Sequence, residues 1–191
     1  MNVARFAIFF IAILHSKAVF ETDFFPGEGR PVFEASANEL SLHELPSTAS
    51  RVAKTITVLP TQRLSYDDSR YQTIRAGRIR VLLPAYIEGR LIGNVTRLSR
   101  DKYYSENLSA AKTELKPGKM VEYLQDRAEG SCLVRVDGRI IDASPCPSID
   151  TAHFRVVAAP LNEGWIHIVS GNFPGWLLIS EQSVALVDRE F

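Results

Sequence analysis

Cys132, Cys146, His43, His153, His167 and a scatter of carboxylates are the groups in this 191-residue chain whose types could do chemistry. Serine hydrolase chemistry needs a nucleophile beside a base, but no Gly-x-Ser-x-Gly elbow occurs. Neither does a His-Glu-x-x-His pair or a glycine-rich phosphate loop. A glycosidase needs two carboxylates at a set separation, and Asp67, Asp68, Glu122, Asp137 and Asp142 supply the residue type without a spacing that selects a pair. Asp137 is already used by a turn, and Asp67-Asp68 reads as solvated. Metal binding through cysteine usually brings Cys-x-x-Cys or a nearby histidine, and this chain has neither. The residues therefore point away from catalysis and from any cofactor or metal.

The two cysteines do have a structural reading. Cys132-Leu-Val-Arg-Val136 and Arg139-Ile-Ile-Asp-Ala143 are β-prone runs on either side of Asp137-Gly138, a dipeptide that accepts positive φ at both centres of a type I′ turn. A two-residue loop sets Val136 opposite Arg139 and Cys132 opposite Ala143. Cys146 then reaches Cys132 by turning back at Ser144-Pro145, so a disulfide closing the hairpin is expected. An oxidised pair is no nucleophile, which removes Cys/His catalysis.

The N-terminus explains where such a bond would form. Met1 to Arg5 carries one positive charge, Phe6 to Leu14 is apolar, and Ser16-Lys17-Ala18 offers small residues for cleavage after Ala18. A spanning anchor needs about twenty apolar residues, and His15 and Lys17 interrupt this run. Val19 stands where a lipoprotein would carry cysteine. Residues 1–18 are thus expected to be a signal peptide, and the mature chain a periplasmic or secreted protein in an oxidising compartment. Removing Arg5 and Lys17 from the 22 basic side chains leaves 20 against 22 acidic ones. This near balance excludes an electrostatic partner such as nucleic acid or an anionic membrane surface.

The elements that position these residues read as all-β. Residues 19–35 form an aromatic, turn-rich arm (Phe20, Phe24-Phe25-Pro26-Gly27) without helical or strand period. Strand signals follow at Glu39–His43, Arg51–Leu59, Arg78–Leu83, Tyr86–Ile92 and Ser183–Val187, and one helical turn is expected at Asn107–Lys112. Tyr103-Tyr104 is an aromatic pair suited to a junction. The pattern Val58-x-Pro60-x-x-x-Leu64-x-Tyr66-x-x-x-Arg70 recurs as Leu115-x-Pro117-x-x-x-Val121-x-Tyr123-x-x-x-Arg127, and Gly77-Arg78-Ile79 recurs as Gly138-Arg139-Ile140. Two copies of one small β unit are expected, 36–110 and 111–191. An outer-membrane barrel is excluded by short strands, ten prolines and Arg189 on the face of Phe191.

Leu40-x-Leu42-x-x-x-Pro46-Ser47-x-x-Ser50-x-Val52, followed by the Pro60 turn, resembles the opening of bacterial Src-homology-3-like (SH3b-type) domains. Trp165-Ile-His-Ile168 with Gly175-Trp176-Leu-Leu-Ile179 resembles their closing hairpin. The two hallmarks fall in different copies. The resemblance implies two tandem small SH3-like β-barrels, the second holding the disulfide. It also implies a non-catalytic binding module of the cell envelope that recognises peptidoglycan, its glycan or peptide, or an envelope protein. In such a barrel, aromatics at strand ends form a shallow groove while carboxylates and arginines hold the ligand's polar edge. The ligand-binding candidates are then Trp165, His167 and Trp176 in the second unit, with Tyr66 and Tyr71 beside Asp67-Asp68 as their counterpart in the first. The alternative is an envelope hydrolase built on distant carboxylates or serines.

Overall fold

A computed structural model describes residues 18–27, 29–105, 107–169 and 174–190. Positions 1–17 of the expected leader lie outside the described residues. The strands in chain order are β1 (Phe20–Thr22), β2 (Arg30–Ala35), β3 (Glu39–His43), β4 (Val52–Thr57), β5 (Tyr66–Arg75), β6 (Gly77–Val81), β7 (Ala85–Gly93) and β8 (Arg97–Leu98). After the short helix α1 (Arg100–Tyr103) come β9 (Ser109–Leu115), β10 (Met120–Asp126), β11 (Cys132–Val136), β12 (Arg139–Ala143), β13 (Phe154–Ala158), β14 (Leu161–Ile168), β15 (Gly175–Ile179) and β16 (Val184–Glu190). The protein is all-β.

These strands make two seven-stranded sheets and a two-stranded ribbon. The first sheet runs β4-β3-β15-β14-β5-β1-β8, the second β13-β6-β10-β11-β12-β7-β9, and the ribbon pairs β16 with β2. Among the described residues no sheet closes into a barrel. The units are nested rather than tandem. Every strand of the second sheet lies between Gly77 and Ala158, whereas the first sheet and the ribbon combine strands before Gly77 with strands after Ala158, joined by β8. The expected division at 110/111 therefore falls inside β9, an edge strand of the second sheet, with other strands of that sheet on either side of it in sequence. The cause is the β14–β15 hairpin, which pairs through Leu161–Ile168 with β5 and through Trp176 with His43 of β3. That brings the Pro46-Ser47 loop and the tryptophan hairpin, assigned by sequence to different copies, into one sheet.

The second sheet carries apolar side chains on both faces. Cys132, Val134 and Val136 of β11, Val121 and Tyr123 of β10, Ile141 of β12 and Ile79 of β6 belong to one cluster, drawn almost wholly from this sheet. A sheet that fills its own core must curl around it. Alternate positions Leu124, Leu133 and Ile140 face the other way and join Phe20, Phe24, Leu98 and Tyr103 at the junction with the first sheet. Polar bonds lock this junction: the Thr73 hydroxyl donates to the Leu124 carbonyl at 2.9 Å, and the Gln125 amide to the Tyr71 carbonyl at 2.9 Å. A third cluster, including Phe25, Phe33, Leu40, Leu42, Ile166 and Leu177, fills the space between the first sheet and the ribbon.

The hairpin at Asp137-Gly138 forms in the expected register, Val136 opposite Arg139 and Cys132 opposite Ala143. Both turn residues have positive φ. Cys132 and Cys146 are disulfide-bonded, with Cα atoms 5.1 Å apart. Two expectations fail locally. The arm supplies strands β1 and β2, whose partners Tyr71–Thr73 and Val184–Glu190 are remote in sequence, so no local period announces them. The helical turn lies at α1, where the Ser99 side chain caps the Lys102 amide, and Ser109–Leu115 pairs with β7 as strand β9 instead. Among the described residues, no helix is long and apolar enough to cross a membrane.

Candidate functional site

Strand pairing assigns each candidate side chain to a face of the first sheet. Cross-strand partners point the same way, so the register creates a row Asp68–His167–Trp176–His43 across β5, β14, β15 and β3. Beside it runs Arg70–Trp165–Leu178. A third row holds Glu21, Gln72 and Glu163. The odd-even alternation sends Ile166, Ile168 and Leu177 into the core beneath.

The side chains on this outer face hold one another. His167 Nδ1 lies 2.7 Å from Asp67 Oδ1, and its ring centroid is 5.1 Å from that of Trp176. On the same indole stands the Arg70 guanidinium, 5.5 Å from the ring centroid, which bonds Asp68 Oδ2 at 2.6 Å and approaches Glu21 at 3.4 Å. Gln72 donates to Glu21 at 2.7 Å. His43 meets the Trp165 ring edge-on at 5.3 Å and lies 3.0 Å from the Ser50 carbonyl in the Pro-Ser loop. The hydrogen bond to His167, the largest influence, holds the Asp67 carboxyl below the usual carboxylate range. Chemically this is an aromatic platform edged by both signs of charge.

The five nominated residues divide between two faces. His167 and Trp176 stand half-buried on the outer face. Trp165 shares that face but is 0% exposed, its indole N–H donating to Glu163 at 3.2 Å, so it supports the platform without reaching a ligand. Tyr66 and Tyr71 point to the opposite face. The Tyr66 hydroxyl donates to the Pro31 carbonyl at 2.6 Å, and its ring lies 4.2 Å from the Arg30 guanidinium. Tyr71 lines a cleft of about 390 Å³ with Phe25, Phe33, Asn162, Ile179 and Leu186. Burial pushes both phenols up. The structure thus brings His167 and Trp176 together with Asp67 and Asp68, and places the tyrosines elsewhere.

Arg70, Glu21 and His43 belong to the platform, yet were not ligand-binding candidates from sequence. The alternation Asp68, Arg70, Gln72 along β5 carried a signal for Arg70, since every second residue shares a face. Glu21 and His43 arrive through pairings with distant strands and leave no local trace. Elsewhere, Tyr103 packs at the junction between the sheets, between the guanidinium groups of Arg90 and Arg127 at 4.8 and 4.5 Å. Among the described residues, no three His, Cys, Asp or Glu side chains are grouped to hold a metal ion. No protein-family model, curated protein or solved structure matches this chain.

Proposed function

We propose that this protein is a non-catalytic binding module of the periplasm or cell exterior, and that it holds a cell-wall glycan or peptide, or a segment of an envelope protein, on the outer face of its first sheet. The observation that carries the reading is the row Asp68–His167–Trp176–His43 with Arg70 against the indole. An indole face accepts the apolar side of a sugar or peptide, while carboxylates and a guanidinium hold hydroxyls and amides at its edge. Ion pairing within the face fixes these side chains before a ligand arrives, which lowers the ordering cost of binding. The adjacency of the Pro-Ser loop and the tryptophan hairpin supports an SH3-like reading of the outer unit. The leader expected from the sequence, together with the disulfide, supports export.

Hydrolysis is less well supported. Among the described residues the bonds of the three histidines run to Asp67, Asp150 and the Ser50 carbonyl, so none activates a side-chain hydroxyl. The test is sedimentation of the mature protein with purified peptidoglycan, alongside Trp176→Ala and His167→Ala variants shown to be folded. Retention that both variants lose supports the platform as a wall-binding site. Retention unaffected by either variant refutes the platform, and absence of retention refutes peptidoglycan as ligand and directs the search to envelope proteins.

A further inference from the structure

We propose that β9 is an interaction edge whose partner is β9 of a second copy of this chain, paired antiparallel about a two-fold axis at Thr113. The backbone register shows which groups are free. The Ser144 N–H donates to the Glu88 carbonyl at 3.0 Å, so the backbone polar groups of Glu88 point to β12. Such groups alternate sides along a strand, so those of Ile87, Gly89 and Leu91 turn to β9 and meet Thr113, Ala111 and Ser109. The N–H and C=O groups of Ala110, Lys112 and Glu114 therefore point outward, where β9 has no pairing strand among the described residues.

The other edges are interrupted, short or covered. Register shifts break the pairing of β4, β13 and β16 with their neighbours. Strand β8 has two residues, and hydrogen bonds from Ala35 to Gln62 and from Leu64 to Phe33 cover β2. Bulges and short edges oppose pairing with another chain. In contrast, β9 keeps an unbroken register over its 7 residues, with Ala110, Lys112 and Glu114 exposed along it. Arg155, Val156 and Val157 of β13, at the opposite edge of the same sheet, are exposed too, so the two edges leave each other open.

The charges of β9 select both the partner and the register. Two antiparallel copies bond in phase when Ala110, Lys112 and Glu114 face residues of the same set. An axis at Lys112 would set two ammonium groups opposite each other, and one at Ala111 would leave Glu114 outside the shared strand. An axis at Thr113 sets Lys112 opposite Glu114 of the second copy and Glu114 opposite its Lys112, with the two Thr113 side chains across the axis. Opposite-charge and Thr–Thr pairs stabilise antiparallel strands, and like charges directly opposite destabilise them. Within its own chain Lys112 pairs with Glu88 at 2.6 Å and lies 4.7 Å from the centre of the Tyr86 ring. The second copy extends this row, so that each Lys112 stands between two carboxylates. Because the same patch serves both copies, the contact closes as a dimer. It belongs to the second sheet and does not depend on the platform.

The experiment is analytical ultracentrifugation of the mature protein over a concentration series from about 10 μM to 1 mM, a range that covers weak association. A concentration-dependent monomer–dimer equilibrium is expected. Lys112→Glu and Glu114→Lys each set like charges opposite one another, so either variant alone should dimerise about tenfold more weakly or worse. Mixed together, the two variants should associate as tightly as the unaltered protein, because every reversed charge then faces its opposite. Deuterium exchange at the Lys112 and Glu114 amides of the unaltered protein should slow as concentration rises. A monomer throughout the series, dimers indifferent to the single reversals, no recovery in the mixture, or open-ended growth would each overturn the proposal. If a variant fails to fold, the exchange measurement decides: equal rates at low and high concentration overturn the pairing.

Discussion

Reducing the Cys132–Cys146 bond tests the central hairpin quantitatively. The bond links positions separated by 14 in sequence, a loop for which chain entropy corresponds to about 3 kcal/mol at 25 °C. Both cysteines belong to the core of the second sheet, with 0% and 2% of their surface exposed, so reductant reaches them only when that core opens. The assay is a urea melt of the oxidised protein and of protein reduced while unfolded and refolded under reductant. Tryptophan fluorescence and far-ultraviolet circular dichroism follow it. With a slope of about 2 kcal/mol per molar urea, the midpoint should fall by about 1.5 M on reduction. Trp165 is fully buried in the other sheet. If the junction bonds from Thr73 and Gln125 couple the sheets, its fluorescence transition shifts together with the dichroism. A midpoint change below about 0.3 M at unchanged slope refutes the loop-entropy reasoning. A shift in dichroism without one in fluorescence refutes the coupling.

Other perturbations test particular contacts. Trp165→Ala should cost about 3–5 kcal/mol in a denaturant melt because it empties a fully buried site, whereas Trp176→Ala at a half-buried position should cost clearly less. Gly89→Ala should destabilise by at least about 3 kcal/mol, since its Cβ would stand 1.9 Å from the Asp142 carbonyl oxygen across the β7–β12 pairing; an unchanged melting temperature would contradict that register. Asp67 is depressed by its bond to His167, so its contribution to stability is present above the unfolded carboxylate value and is lost as pH falls through the folded one. A carboxyl NMR titration should show it low, and His167→Ala should return it to the usual range. Tyr66, Tyr71, Tyr103 and Tyr123 are all pushed up, chiefly by burial. They favour the folded state below the unfolded phenol value of about 10 and lose that contribution as pH rises beyond it. Absorbance at 295 nm should show these four ionising late, together with base denaturation.

Local physics made part of this protein legible. Asp137-Gly138 dictates its own turn, the turn dictates Cys132 opposite Ala143, and that placement brings Cys146 within bonding distance, all inside a short stretch of chain. The all-β class was legible for the same reason, because alternation and β-branched runs are properties of neighbouring residues. The exchange of strands between expected units was not. Whether β14 and β15 extend the β13 region or fold back onto β5 and β3 depends on which apolar faces remain uncovered once the second sheet has curled around its own core.

The candidate site divides along the same line. Trp176 and His167 are nearest partners across a hairpin, so their proximity follows from sequence. That Trp165 is buried, that Tyr66 and Tyr71 face the other side, and that Arg70, Glu21 and His43 complete the platform follow from pairings between distant strands. The sequence alone determined the hairpin, its disulfide and the strand class, since turn chemistry and alternation act over a few residues. Only the tertiary structure decided the nesting of the sheets and the grouping of side chains on each face, because strand order is set by long-range burial that no local pattern encodes.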